Sequence, residues 1–130
     1  MVQSRSKEQK TEMIEKTVAI IGDKWSLLII GQLAFGKNPS RFNELMRELK
    51  PISSRTLSIK LANLSDNKVV EKTIESGSPP YTQYALTAKG KDLVDAYRAM
   101  AQWSKKWQSQ PVTPGEYKGI TAASTPPKEL

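Results

Sequence analysis

The fold is decided by the segment Pro51-Ile-Ser-Ser-Arg-Thr-Leu-Ser-Ile-Lys-Leu-Ala-Asn-Leu64, whose two helical faces differ in character. At about 100° per residue, one narrow stripe contains Leu57, Leu61 and Leu64. The proline disfavours helical geometry in the residue before it, and Ser53 can cap the first-turn amides, so a helix is predicted to begin at Ser54. We expect the leucine stripe to anchor in a core. The opposite side, which we expect to be exposed, carries Arg55, Ser58, Ile59, Ala62 and Asn63.

A shorter helix is predicted immediately before this segment. Residues 36–39 form a turn signal, Ser40 is a candidate N-cap, and residues 42–49 have apolar side chains at helical spacing. A tight turn over residues 50–53 joins the two helices. This layout is a helix-turn-helix, whose second helix places its N-terminal side chains in the major groove of DNA.

The N-terminal part of the chain is predicted to be scaffold. Apolar residues at helical spacing predict a helix over residues 7–21, ended by Gly22. Asp23 can cap a second helix, which we expect to run from Lys24 to about Ala34. This second helix is apolar on several sides, so we expect it to be largely buried.

After residue 67 the hydrophobic period changes from that of a helix to that of a strand. Residues 69–75 and 81–86 are predicted strands, and the loop 76–80 connects them into a β-hairpin, the wing. Thr87 can cap a long helix that ends near Gln108. The predicted fold is mainly α with a small β-hairpin wing, a winged helix-turn-helix domain over residues 7–108. The proline-interrupted residues 109–130 are predicted to be a disordered tail.

Composition limits the possible functions. The 130 residues contain 20 Lys and Arg against 13 Asp and Glu, a net charge of +7, which favours a polyanionic partner or an acidic membrane surface. There is no cysteine and no histidine, so thiol chemistry is excluded and the commonest metal ligand is missing. No apolar run reaches the roughly 18 residues needed to span a bilayer. We therefore expect no membrane partner, metal or cofactor, and a cytoplasmic, nucleoid-associated protein.

Four sequence blocks together resemble a known family. In order and spacing, the chain is similar to the HxlR-type winged helix-turn-helix transcription regulators of bacteria and archaea over about residues 14–108. The blocks are Ile20-Ile-Gly-Asp-Lys-Trp-Ser-Leu-Leu-Ile29, Arg41-Phe-Asn-Glu-Leu45, Ile52-Ser-Ser-Arg-Thr-Leu-Ser58 and Tyr84-Ala-Leu-Thr-Ala-Lys-Gly90.

The resemblance implies a homodimer held by its terminal helices that binds operator DNA to repress or activate nearby genes. Many members also carry a cysteine shortly before the Gly-Asp-Lys-Trp block and sense oxidants or electrophiles through it. Here that neighbourhood reads Thr11-Glu-Met-Ile-Glu-Lys-Thr17. The thiol switch of the family is therefore not available to this chain.

Arg55 is the first candidate for reading bases, because its planar fork can bond guanine O6 and N7 together. A phosphate contact or a surface salt bridge is the alternative. Ile59 can touch a thymine methyl or be a tolerated surface residue. Short polar side chains around them, suited to phosphates or base edges, or simply to helix-start and solvent-facing positions, are Ser53, Ser54, Thr56, Ser58 and Asn63.

Further contacts to the DNA backbone are predicted beside the helix and on the wing. Arg41 and Lys60 are candidate phosphate clamps at the start of one helix and on the flank of the next. The wing offers Lys72 on a strand and Ser76, Gly77 and Ser78 at the tip, without an arginine, so we expect it to position rather than to read sequence.

A dimer interface is predicted on the two terminal helices, because a domain of this size has too little core to cover all their apolar side chains. Two helical stripes supply it. The predicted interface residues are Met13, Ile14, Val18 and Ile21 in the first helix and Leu93, Tyr97, Met100, Trp103 and Trp107 in the last.

Three interpretations of function differ in class. The first is a dimeric, sequence-specific regulator on a pseudo-palindromic operator; the others are a winged-helix protein interaction module and a non-specific architectural DNA-binding protein. An enzyme is disfavoured, because no paired carboxylates or phosphate-cradling glycine loop is present. A small-molecule effector of unknown identity stays open.

Overall fold

Five helices and three short strands build residues 6–108, the part of the chain described by the computed structural model. The predicted tail, residues 109–130, lies outside the described residues. In chain order the elements are α1 (Lys7–Ile21), α2 (Lys24–Phe35), β1 (Ser40–Arg41), α3 (Phe42–Glu48), α4 (Ser54–Asp66), β2 (Val70–Glu75), β3 (Tyr81–Leu86) and α5 (Ala88–Trp107).

Polar side chains fix the starts of the helices, as the sequence predicts. Asp23 Oδ2 accepts hydrogen bonds from the backbone N–H groups of Trp25 and Ser26, both at 3.1 Å. Ser53 Oγ accepts from the N–H of Thr56 at 3.1 Å. Each cap satisfies a first-turn donor that has no partner inside its helix, and thereby sets where α2 and α4 begin.

The sheet has one strand more than the sequence predicts. Ser40 is not the N-cap of α3; it is buried in β1 and pairs with Tyr84, while Arg41 occupies the cap position. The strand order is β1-β3-β2, and all pairs are antiparallel. A strand of two residues is too short to show an alternating hydrophobic pattern, so the sequence could not predict β1. The wing, which we define as the β2–β3 hairpin, is confirmed.

Helix α2 lies at the centre of the hydrophobic core. Ile29, Ile30 and Leu33 are at most 1% exposed, which confirms that this helix is largely buried. The leucine stripe of α4 is equally buried, as predicted. Burying each of these side chains contributes about 1.5 to 3 kcal/mol, so together they fix the orientation of α4 on α2. Around them pack Leu45, Leu49, Ile52, Val69, Val70, Tyr84 and Leu86.

Helix α5 packs on α2 through Tyr97, at a point where α2 has Gly31. Tyr97 is 8% exposed, and its ring centroid lies 5.6 Å from that of Phe35. Sequence periodicity assigned Tyr97 to a dimer interface, but it is buried within its own chain. Leu93 and Ile21, also assigned to that interface, are half-buried and packed against the core.

No single described helix is both long and apolar enough to cross a membrane. Helices α1 and α2 together reach the length and composition of a span, but they meet at a 75° bend.

Replacing Gly31 with alanine should destabilise the domain, although alanine normally favours a helix over glycine. The added methyl carbon would lie 2.5 Å from Cζ of Tyr97, so α5 must shift or the ring must rotate. We expect a loss of about 1 to 3 kcal/mol in the free energy of unfolding, measured with urea. In a Tyr97→Ala background the methyl meets no ring, so Gly31→Ala should cost less. An equal cost in both backgrounds would contradict the close contact.

Candidate DNA-binding surface

Helix α4, which we call the reading helix, presents a polar face away from the core. With the leucine stripe buried, the side chains predicted on the opposite face are all exposed; they are Arg55, Ser58, Ile59, Ala62 and Asn63, and Ser54 is exposed beside them. Ile59, the large apolar residue on this face, is 54% exposed. The face therefore carries mostly polar side chains and no aromatic residue.

Arg55 lies in the first turn of the reading helix. Within residues 6–108 its guanidinium makes no ion pair or hydrogen bond, so its five N–H donors are available to a partner. An arginine that is exposed and unpaired at this position has the reach and geometry for bidentate contact with a base edge.

Some of the predicted polar contacts already have intramolecular roles. The hydroxyl of Ser53 caps the reading helix and also donates to Thr56 Oγ1 at 3.0 Å, and Thr56 is half-buried. At the other end, Asn67 Nδ2 donates to the backbone carbonyl oxygen of Asn63 at 2.9 Å and to its side-chain Oδ1 at 3.5 Å. On the reading helix, Ser54 and Ser58 are the exposed hydroxyls that have no internal partner in the described chain.

Lys60 differs from the expectation of a phosphate clamp. Its ammonium lies 3.2 Å from Asp23 Oδ2, and its side chain is only 28% exposed. The lysine thus joins the flank of the reading helix to the carboxylate that caps α2. Its charge is therefore compensated inside the protein. The sequence could not show this, because the position of a residue on a helix flank does not reveal a partner on another helix.

The pKa of Asp23 reflects its contacts with Ser26 and Lys60. Partial burial raises the pKa of Asp23, but hydrogen bonds from Ser26 and Lys60 and the positive charge of Lys60 outweigh that effect. The pKa therefore lies below its usual 3.8. The carboxylate is ionised at neutral pH and serves two helices at once.

The wing carries exposed polar groups where the sequence predicts them. Lys72 is exposed and lies opposite Tyr84 in the hairpin, and the tip residues Ser76, Gly77 and Ser78 are all exposed. Arginine is absent from the described tip. The wing can thus supply amines, hydroxyls and backbone amides to phosphates.

A groove between α3 and the wing was not predicted from the sequence. We call it the wing groove; its volume is about 830 Å³. Arg41, a predicted phosphate contact, lies in it with its guanidinium 3.8 Å from the ring centroid of Tyr81. Its basic lining also includes Lys37 and Arg47. The sequence does not predict these two residues as contacts, because no local pattern connects α3 with residues 79–82.

The terminal helices expose a large apolar surface, which we call the terminal apolar face. Its six members are between 45% and 65% exposed; they are Met13, Ile14, Val18, Met100, Trp103 and Trp107. All six belong to the predicted interface. Near it, a cavity of about 170 Å³ lies between α1, the start of β2 and α5, lined by apolar side chains with Thr17, Lys89 and Asp92 at its polar positions.

Within residues 6–108, no group of three acidic, cysteine or histidine side chains is placed to hold a metal ion.

A helix-turn-helix followed by the wing, with β1 completing a three-stranded sheet, defines the class of winged helix-turn-helix transcriptional regulators. The model of the HxlR-like helix-turn-helix family matches residues 20–111, most of the chain. The chain belongs to this family, as its four sequence blocks predicted.

Known relatives support the assignment. An uncharacterised HTH-type transcriptional regulator of Methanothermobacter thermautotrophicus is 32% identical over 103 residues, covering 79% of this chain and 77% of the relative. The HTH-type transcriptional regulator YodB of Bacillus subtilis is 31% identical over 94 residues, covering 72% of this chain and 82% of YodB.

Solved structures agree with the fold. A regulator described as a MarR-family member from Enterococcus faecalis V583 aligns with a TM-score of 0.69 and 27% identity, over 83% of this chain and 94% of that one. The reduced form of YodB aligns with a TM-score of 0.65 and 27% identity, over 80% and 95%. YodB has also been solved after diamide treatment. The 130 residues of the present chain offer no thiol for such a reagent.

Replacing Asp23 with asparagine should separate its charge from its capping role, because asparagine keeps a cap acceptor. At neutral pH we expect the variant to be less stable by about 0.2 to 1 kcal/mol, the range of a partly exposed ion pair. The folded-state pKa of Asp23 is lowered, so this contribution is present above its usual 3.8 and is lost as the pH falls through the lowered value.

Urea unfolding from about pH 7 to about pH 3 measures the effect. The gap between wild type and Asp23→Asn should close in acid. Asp95→Asn, which removes an exposed carboxylate from α5, should track the wild type. A gap that does not narrow at all below pH 3.8 would mean that the charge of Asp23 contributes nothing.

Proposed function

We propose that this regulator binds DNA as a homodimer and recognises a pseudo-palindromic operator. The observation that carries the proposal is Arg55: it is exposed and unpaired in the described chain, in the first turn of a helix anchored by its opposite face. A base-reading side chain needs both properties, a free donor set and a rigid support.

On DNA, the start of the reading helix would enter the major groove, with Arg55 at a guanine and Ile59 against a thymine methyl. Ser54 and Ser58 would bond phosphates or base edges. The exposed wing tip would lie along the neighbouring minor groove and hold the register of the domain.

The polar reading face argues against a protein-docking module. Interfaces between proteins are anchored by buried aromatic side chains, and the exposed face of the reading helix has none among its described residues. An architectural protein, which binds without reading sequence, would not need an arginine fork at the start of this helix. Sequence preference therefore separates that alternative from the proposed regulator.

The terminal apolar face supports the dimer. Helix α5 has 20 residues and α2 has 12, so α5 is about 30 Å long and α2 only about 18 Å. Tyr97 lies where α2 covers α5, whereas Trp103 and Trp107 are more than half exposed. A second copy of the chain, packed by two-fold symmetry on both terminal helices, would cover these side chains and set two reading helices about 34 to 36 Å apart.

Selection of bound fragments from the source genome tests the function directly. We expect a recovered motif made of two inverted half-sites, one helical turn apart. Fragments without a common motif would favour the architectural alternative, and no recovered DNA would favour the docking module.

On the selected operator, Arg55→Ala should cost about 1 to 3 kcal/mol in binding and relax the preference at one base pair. Arg55→Lys is the matched variant, because it keeps the charge and loses the fork. If Arg55 reads a base, both variants lose specificity. If lysine restores wild-type discrimination, Arg55 contacts a phosphate and is not the base reader.

A double change, Met100→Asp with Trp103→Asp, should produce folded monomers that bind the operator weakly. Both side chains are about half exposed, so the charges disturb a partner chain more than the domain's own core. Light scattering gives the mass, and circular dichroism reports the helices. Ile74→Asp, at an exposed apolar residue of the wing, should stay dimeric. A wild-type monomer at tens of micromolar with full operator affinity contradicts the dimer.

A further inference from the structure

The wing groove is a basic concave surface that contains no residue of the reading helix. It is lined on one side by the first turns of α3 and on the other by the end of β2, residues 79–80 and the start of β3. Its side chains include three cations, Lys37, Arg41 and Arg47, and one carboxylate, Glu44. The groove therefore carries a net positive charge of two.

The carboxylate does not oppose an anion in the groove, because both its oxygens are engaged. Glu44 Oε2 accepts from Lys37 Nζ at 2.6 Å, and Oε1 accepts from the backbone N–H of Arg41 at 2.8 Å. These two bonds hold the pKa of Glu44 below its usual value. Lys37 and Glu44 compensate each other, so the excess charge belongs to Arg41 and Arg47.

The two arginines differ in how they are held. The guanidinium of Arg41 lies over Tyr81, and stacking on an aromatic ring fixes its plane while leaving its edge donors free. Arg47 is exposed and makes no ion pair or hydrogen bond within residues 6–108. Arg41 is thus held in one orientation by the ring, and Arg47 is free to contact an anionic partner.

We propose that the wing groove receives the phosphodiester strand that separates the DNA major groove from the minor groove, with Arg41 and Arg47 on different phosphates of that strand. The inference rests on the proposed function. Helix α3 leads through the turn at 49–53 into the reading helix, and the wing tip follows the opposite wall of the groove. If the reading helix enters the major groove of a duplex and the wing tip enters the minor groove, the strand between those two grooves passes between the helix-turn-helix and the wing.

The spacing favours a strand over a small anion. Arg41 is the residue before α3 and Arg47 lies six residues further along the helix, so their backbones are separated by about 9 Å. Two arginines this far apart can reach different phosphates of one strand, whereas a single small anion could not contact both at their backbones' spacing. The uncharged walls, Ile74, Pro79, Pro80 and Tyr81, offer flat apolar surface to deoxyribose, which a lone phosphate would leave uncovered.

The test measures how the affinity for a short duplex of random sequence depends on salt concentration, so it needs no operator. Each phosphate contact contributes about 0.9 to the slope of log K against log salt. We expect Arg47→Gln to lower this slope by about 0.9, and Arg41→Gln with Arg47→Gln to lower it by about 1.8. Lys91→Gln, which removes one exposed charge from α5, should leave the slope unchanged.

A second pair of variants tests the stacked arginine without changing any charge. Tyr81→Phe keeps the ring under Arg41 and should bind the duplex like the wild type. Tyr81→Leu removes the ring, and we expect it to weaken binding to operator and random duplex by the same factor. Equal affinities for the phenylalanine and leucine variants would overturn the pre-oriented role of Arg41.

Other outcomes are equally decisive. If wild type binds duplex DNA and Arg47→Gln keeps its slope, the groove holds no phosphate strand, while the proposed function stands. If Arg47→Gln changes the preferred operator sequence instead of the slope, Arg47 reads bases and the inference is wrong. If wild type binds neither operator nor random duplex, the proposed function and the inference fall together.

Discussion

The burial of three leucines from the reading helix against α2 is the interaction on which the rest of the surface depends. Leu57, Leu61 and Leu64 are at most 1% exposed, and a helix anchored on one narrow stripe has only one way to face solvent. Rotating the reading helix to hide Arg55 would expose all three leucines, at several kcal/mol. The same burial therefore stabilises the domain and displays the reading face.

Pairing within the chain sorts the basic residues into two groups. Lys60 and Lys37 are bound to Asp23 and Glu44, at 3.2 Å and 2.6 Å, so their charges hold elements of the domain together. Arg55 and Arg47 have no such partner in the described chain. The net charge of +7 by itself says nothing about this division. It is the carboxylates on neighbouring elements that decide which cations remain for a polyanion.

Local patterns predicted most of the fold, and contacts distant in sequence account for what they missed. The leucine period and the cap residue Ser53 correctly predicted a helix that begins at Ser54, because both signals are local in sequence. Strand β1 is too short for a period. Lys68, with φ of 62°, ends the reading helix in a left-handed turn normally marked by glycine. Tyr97 and Trp103 share an apolar pattern, yet only the length of α2 determines that one is covered and the other exposed.

Thr87 has a consequence for how the two ends of the domain move. It caps α5 by accepting from the N–H of Gly90, and its own N–H donates to the carbonyl oxygen of Val69, both at 3.1 Å. Lys89 adds a bond to the carbonyl of Asn67 at 2.8 Å. The first turn of α5 is thus clamped to the base of the hairpin. In the proposed dimer, a tilt of α5 would carry the wing with it, so the angle at which two copies meet would set the distance between their wing tips.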